Sequence, residues 1–103
     1  MSKLEEFIKQ PYEEFTISVD FSANFLADET ITSQVVSAID SKGVDATSTI
    51  TNQASVTNDG NSKVQVLVRA GDRLNSPYKI TFRCVTSIGH KWEHDIKMKV
   101  VEL

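Results

Sequence analysis

Two histidines, His90 and His94, and two adjacent carboxylates, Asp28 and Glu29, are the side chains of this 103-residue chain whose types and spacing invite a chemical reading. The histidines suggest a metal ion. On a strand, however, that spacing separates them by roughly 13 Å, well beyond one coordination shell, and no Cys-x-x-Cys or helical histidine pair accompanies them. The expectation is a half-buried His94 and a solvated turn residue at His90, with no metal and no other cofactor. Asp28 and Glu29 could act as an acid/base pair or bind calcium, but adjacent carboxylates in a connecting loop are ordinarily solvated. Nucleophilic chemistry finds no frame either. The serines lack a Gly-x-Ser-x-Gly elbow, Cys84 has no identifiable His and Asn partners, and no phosphate-cradling glycine loop occurs. The chain reads as not an enzyme.

What must position these residues is a set of strands. Tyr78, Ile80, Phe82 and Cys84, then Trp92, Ile96, Met98 and Val100, fall on alternate positions. Lys79, Thr81, Arg83, Lys91, Glu93, Asp95, Lys97 and Lys99 lie between them, which predicts an antiparallel hairpin with one wet face, turning near Ser87-Ile88-Gly89-His90. A further strand is predicted from about Glu14 to Ser22, with Phe15, Ile17, Val19 and Phe21 inward. After a loop from Ala23 to Thr30, Ile31, Val35 and Ile39 would share one face of the next strand, closed by the turn residues Asp40-Ser41-Lys42-Gly43. Val44 to Val56 reads as one or two weak, polar strands at a sheet edge. Asn58-Asp59-Gly60-Asn61 is a strong turn signal leading into Val64, Val66 and Val68. Tyr78, following the polar loop Ala70 to Pro77, is placed to pin a corner by its hydroxyl, and Trp92 is the largest core side chain on offer. Together these predict an all-β fold, an immunoglobulin-like antiparallel β-sandwich of about seven strands, with a small barrel as the alternative. Ser2 and Glu5 have the form of a capping box, and Leu4, Phe7 and Ile8 would share one face of a short helix stopped by Pro11. Residues 1–13 are thus expected to form an N-terminal arm, either a frayed tail or a reach toward a neighbouring subunit, and residues 14–103 one domain.

The bulk properties fit that size and class. One cysteine excludes an internal disulfide, and its inward parity makes Cys84 a core residue. No long apolar run opens the chain, so neither a signal peptide nor a membrane span is expected. The net charge of −3 divides into −6 over residues 1–50 and +3 over residues 51–103. Such a split suits head-to-tail contact if it is also a split in space, which interleaved strands need not make it. Lys79, Arg83, Lys91, Lys97 and Lys99 form an outward basic row, but Glu93 and Asp95 interrupt it and no outward aromatic accompanies it, so a mixed-charge solvated face is expected rather than a nucleic-acid site.

Phe7-Ile8-Lys9-Gln10-Pro11, then Glu14-Phe15-Thr16-Ile17-Ser18-Val19-Asp20-Phe21-Ser22 and Leu26, resemble the opening of a family of small phage and prophage proteins. There a Lys-x-Pro segment precedes a strand ending in Asp, an aromatic residue and Ser. The similarity continues through Asp28-Glu29-Thr30-Ile31, Gly71, Tyr78 and Thr86-Ser87-x-Gly89, and covers nearly the whole chain; Phe21 stands where the family tends to have tryptophan. The resemblance implies an Ig-like virion structural protein, a fibre-to-tail adaptor or related neck or tail component. It would be made in the bacterial host cytoplasm, then built into the particle. Its implied partners are other virion structural proteins and copies of itself in a ring, with no nucleic acid and no membrane. Loops and termini would carry the contacts, which points to Leu4, Phe7 and Ile8, to Asp28 and Glu29, and to Asp72, Arg73 and Asn75. The alternative is a carbohydrate- or cell-surface-binding sandwich, for which Tyr12 and Phe25 are the available loop aromatics.

Overall fold

The structure, a computed structural model, describes residues 5–102. Seven strands alternate with short connections: β1 (Glu5–Lys9), β2 (Phe15–Asp20), β3 (Ile31–Ile39), a single helical turn α1 (Thr47–Ile50), β4 (Thr51–Asn58), β5 (Lys63–Val68), β6 (Tyr78–Thr86) and β7 (Lys91–Val100). They form a four-stranded sheet in the order β1-β7-β6-β3 and a three-stranded sheet in the order β2-β5-β4. The two-sheet β architecture expected from the alternation is therefore present. Val64, Val66 and Val68 of β5, Ile80 and Phe82 of β6, and Ile96, Met98 and Val100 of β7 are buried, and Val19, Phe21, Val36, Ile50 and Tyr78 are among the residues that join them in the core. Gly60 and Gly89 occupy the two predicted turns at φ +81 and +85°, where a side chain would be strained.

Four expectations are corrected. The helix predicted around Leu4, Phe7 and Ile8 is instead β1 over its described part, pairing in parallel with β7 from Glu5↔Ile96 to Lys9↔Val100. Leu4 lies outside the described residues. A segment this short cannot sustain a helix alone, whereas β7 offers it a complete ladder of backbone partners. The sandwich thus begins within the stretch expected to be an arm, and one of its pairings is parallel. In β3 a register shift between Ile31 and Ser33 reverses the facing pattern. Val36 and Ala38 point inward, and Val35 is 58% exposed. Val44 to Val56 supplies α1 as well as β4, which does lie at a sheet edge. Trp92, next to the start of β7 beside the β6–β7 turn, is only half-buried, packing against the core while its indole N–H lies 3.4 Å from Glu29 Oε2.

The sandwich has one closed side and one open side. At the β3 edge the Thr47 hydroxyl accepts from Ala38 N–H at 3.0 Å, Ala46 N–H donates to Ala38 O at 2.9 Å, and Gln53 Nε2 donates to Val36 O at 3.0 Å. Asn58 Nδ2 reaches Gln34 Oε1 at 2.6 Å. These bonds tie β3 to α1 and β4 across the gap between the sheets. On the other side, Phe7 of β1 and Phe15 of β2 meet ring to ring, edge to face at 5.7 Å.

Candidate interaction surfaces

The strand directions collect the connections into two groups, one at each end of the molecule. The β1–β2 turn, the β3–β4 connection and the β5–β6 loop share one end. Here the side chain of Lys9, entirely buried, is bent under the turn. Its ammonium donates to the carbonyl of Gln10 at 2.8 Å, to that of Pro11 at 3.2 Å, and to that of Ala70. Burial pulls the Lys9 pKa below the ordinary lysine value, against the opposing fields of Glu13 and Glu14. Glu13 closes the same turn, its N–H donating to Gln10 O and its carboxylate accepting from Gln10 N–H at 2.7 Å. The product is a braced turn that presents Tyr12, 96% exposed.

The β5–β6 loop beside it is equally fixed. Asp72 accepts from Asn75 N–H at 2.7 Å and from its amide at 3.0 Å, and Asn75 in turn accepts from Lys42 Nζ at 3.1 Å and, through its carbonyl, from Ser41 N–H. Tyr78 pins the loop as expected: its buried hydroxyl accepts from Asp72 N–H at 3.0 Å. Burial raises the phenol pKa, partly offset by that bond. Leu74, 81% exposed, projects from this scaffold.

At the opposite end, Glu29 departs from the expected solvated pair. Asp28 is exposed, at φ 65°, but the Glu29 side chain is wholly buried. Its carboxylate accepts from Leu26 N–H at 2.8 Å and lies 3.4 Å from Trp92 Nε1 and 3.2 Å from His90 Nδ1. Burial pushes its pKa upward, but bonds from Thr86, Leu26 and Trp92, with the field of His90, outweigh that and hold it below the ordinary glutamate value. Glu29 thus ties the loop after β2 to the β6–β7 turn. His90, expected to be simply solvated, shares that carboxylate while its ring meets Trp92 edge to face at 5.7 Å. Leu26 and Ile88, both more than half exposed, crown this end.

Between the ends, the outer face of the larger sheet is mixed in charge. Arg83 pairs with Glu93 at 2.6 Å, Thr81 donates to Asp95 at 2.7 Å, and Lys97 stands 3.8 Å from Glu6. Among the described residues, no group of three or more His, Cys, Asp or Glu is arranged to hold a metal ion, and no helix is long and apolar enough to cross a membrane.

A family model described as the podophage GP4 fiber-tail adaptor protein gp77 matches residues 9–99. The chain belongs to that family. No curated protein matches it. The match opens on Lys9 and takes in both loop-bearing ends of the adaptor.

The sequence-derived contact candidates in this adaptor separate into three kinds. Ile8, Asp28, Asp72 and Arg73 are exposed, and Phe7 and Asn75 are half-buried. Glu29 is internal, a brace for a surface rather than part of one. Tyr12 is freely presented, whereas Phe25 packs against the core. Lys9 escaped sequence reasoning because nothing local distinguishes a buried lysine from a solvated one.

Proposed function

We propose that this phage adaptor is a non-enzymatic virion component that works through protein-protein contacts made by the loops at both ends of its sandwich. The observation that carries the reading is where large apolar side chains are left exposed on braced backbone: Tyr12, Val44 and Leu74 at one end, Leu26 and Ile88 at the other, on a molecule 44 Å long. Rigid loops lose little entropy on docking, and two such ends suit a piece that joins two neighbours. Asp28, Asp72, Arg73 and Asn75 supply the polar rim of these contacts, and Ile8, Phe7 and Leu4 a third region at the start of the chain. The strand order, with the first strand on the sheet of β3, β6 and β7, supports an immunoglobulin-like description. Copies arranged in a ring would multiply weak contacts into stable ones. The protein would accumulate in the host cytoplasm and then enter the particle, without nucleic acid or membrane as a partner.

The test is mass spectrometry of purified particles carrying Tyr12→Ala, Leu74→Ala or Leu26→Ala. Recovery of the unaltered chain with the particles, and its loss with variants that remain folded, is the expected result. Absence of the unaltered chain from particles refutes the reading. A carbohydrate-binding role is favoured by one observation, the exposure of Tyr12 beside Glu13 and Glu14; a glycan array without hits removes it.

A further inference from the structure

Three of the four outer strands differ sharply from the fourth in how their edges are treated. The β3 edge is occupied by Thr47, Ala46 and Gln53. The β4 edge is broken by a register shift between Asn52 and Thr57, with the Ser55 hydroxyl bonded to Asn52 O at 2.6 Å and accepting from Leu67 N–H at 2.8 Å. β1 carries two carboxylates and ends in the buried Lys9. β2 is the least protected of the four, its one charged residue being Asp20 at its end. It pairs with β5 in unbroken register over all of Phe15–Asp20, contains no lysine, proline or bulge, and leaves its other edge without a strand partner among the described residues. Such an edge is a template for another strand.

That edge borders an open seam between the sheets, of about 460 Å³, lined on its apolar side by Phe7, Ile8, Phe15, Ile17 and Ile96. Phe7, Phe15 and Ile17 are each only half-buried there. The polar part of the lining is Glu5 and Glu6 with Thr16 and Ser18, and it includes no basic side chain. Neither carboxylate is spent: Glu5 stands 3.5 Å from His94 and Glu6 3.8 Å from Lys97, both loose enough to accept a shorter bond.

We propose that the seam between β1 and β2 receives an extended segment of a neighbouring protein, one alternating apolar and basic residues, which adds as a strand to the β2 edge. Its apolar side chains enter over Phe7, Phe15 and Ile17, and its Lys or Arg side chains meet Glu5 and Glu6. Backbone bonds to β2 give affinity, and the alternate pockets and the acidic rim give the sequence preference. The proposal deepens the adaptor reading by naming one of its contacts, and its test needs no particles, so the two can fail separately.

The probe is a short peptide alternating lysine and valine, offered to the full chain, with hydrogen exchange read amide by amide. New protection over Phe15–Asp20 is expected. The E5K/E6K variant should weaken binding at least about fivefold. A counterpart peptide alternating glutamate and valine should not bind, and neither should the lysine peptide with a central proline, which cannot continue a strand. Binding that ignores the proline or the charge reversal, protection elsewhere than β2, or no binding at all overturns the proposal. Protection of β2 that rises with protein concentration alone overturns it in favour of a second copy of this chain.

Discussion

Gly71→Ala should be among the most damaging single-methyl changes this protein can suffer. Gly71 follows Ala70 in the β5–β6 loop with φ +87°, and a methyl group added there would stand 3.0 Å from Val100 Cγ2, 3.2 Å from Ile50 Cδ1 and 3.3 Å from Tyr78 Cε1. All three neighbours are buried, so none can swing away. The left-handed backbone costs an alanine about 1–2 kcal/mol, and forcing a methyl into a filled site adds about 1–3 kcal/mol. The total, about 2–5 kcal/mol, is a large part of the stability of an ordinary domain and corresponds to a fall in Tm of roughly 10 °C or more. Gly43→Ala is the internal control: its φ is +82° and nothing lies within 4 Å of the added methyl. It should lose only the backbone share, about 1–2 kcal/mol. Urea denaturation of both variants, followed through the emission of Trp92, reads the difference directly. Equal losses, within about 0.5 kcal/mol, would refute the claim that Gly71 is required by close packing rather than by conformation alone.

Tyr78→Phe removes the acceptor of Asp72 N–H and should cost about 1–2 kcal/mol in a thermal melt, with the β5–β6 loop exchanging its amide hydrogens faster. Acid should destabilise the fold. Asp59 is held below its ordinary value of 3.8 by the N–H of Lys63 and then of Asn61, Asp20 by that of Ser22, and Asp45 by the Thr47 hydroxyl. Glu29, against the upward push of burial, is held below 4.5 by the bonds it accepts. Because the unfolded chain takes up these protons first, their stabilisation is complete above the ordinary carboxylate range and is lost as pH falls through it, so the urea midpoint should be flat near neutrality and drop below about pH 4.5. An unchanged midpoint in acid would contradict the carboxylate bonds described. Cys84, whose thiol is pushed up by burial, should resist maleimide in the native protein and react at a rate set by unfolding, which a denaturant series of labelling rates can check.

Alternation alone determined β2, β5, β6 and β7, because a period of two in apolar residues has one stable outcome when a sheet buries one face. The turn at Asn58-Asp59-Gly60-Asn61 and the corner at Tyr78 were also local, since backbone chirality and a single hydroxyl suffice to specify them. Three features were decided elsewhere in the chain. Glu5–Lys9 became a strand because β7, at the far end of the sequence, offered it a ladder. Val36 rather than Val35 faces the core because one bulge near Ile31 shifted the register, and a bulge leaves no mark in hydrophobic pattern. Glu29 and Lys9 are buried because local partners, Leu26 N–H for one and the carbonyls of Gln10 and Pro11 for the other, are completed by groups distant in sequence, Thr86, Trp92 and His90 for Glu29 and the carbonyl of Ala70 for Lys9. Whether a charge is solvated or enclosed depends on partners that only the folded chain assembles, and so the braces beneath both loop-bearing ends belong to the tertiary structure.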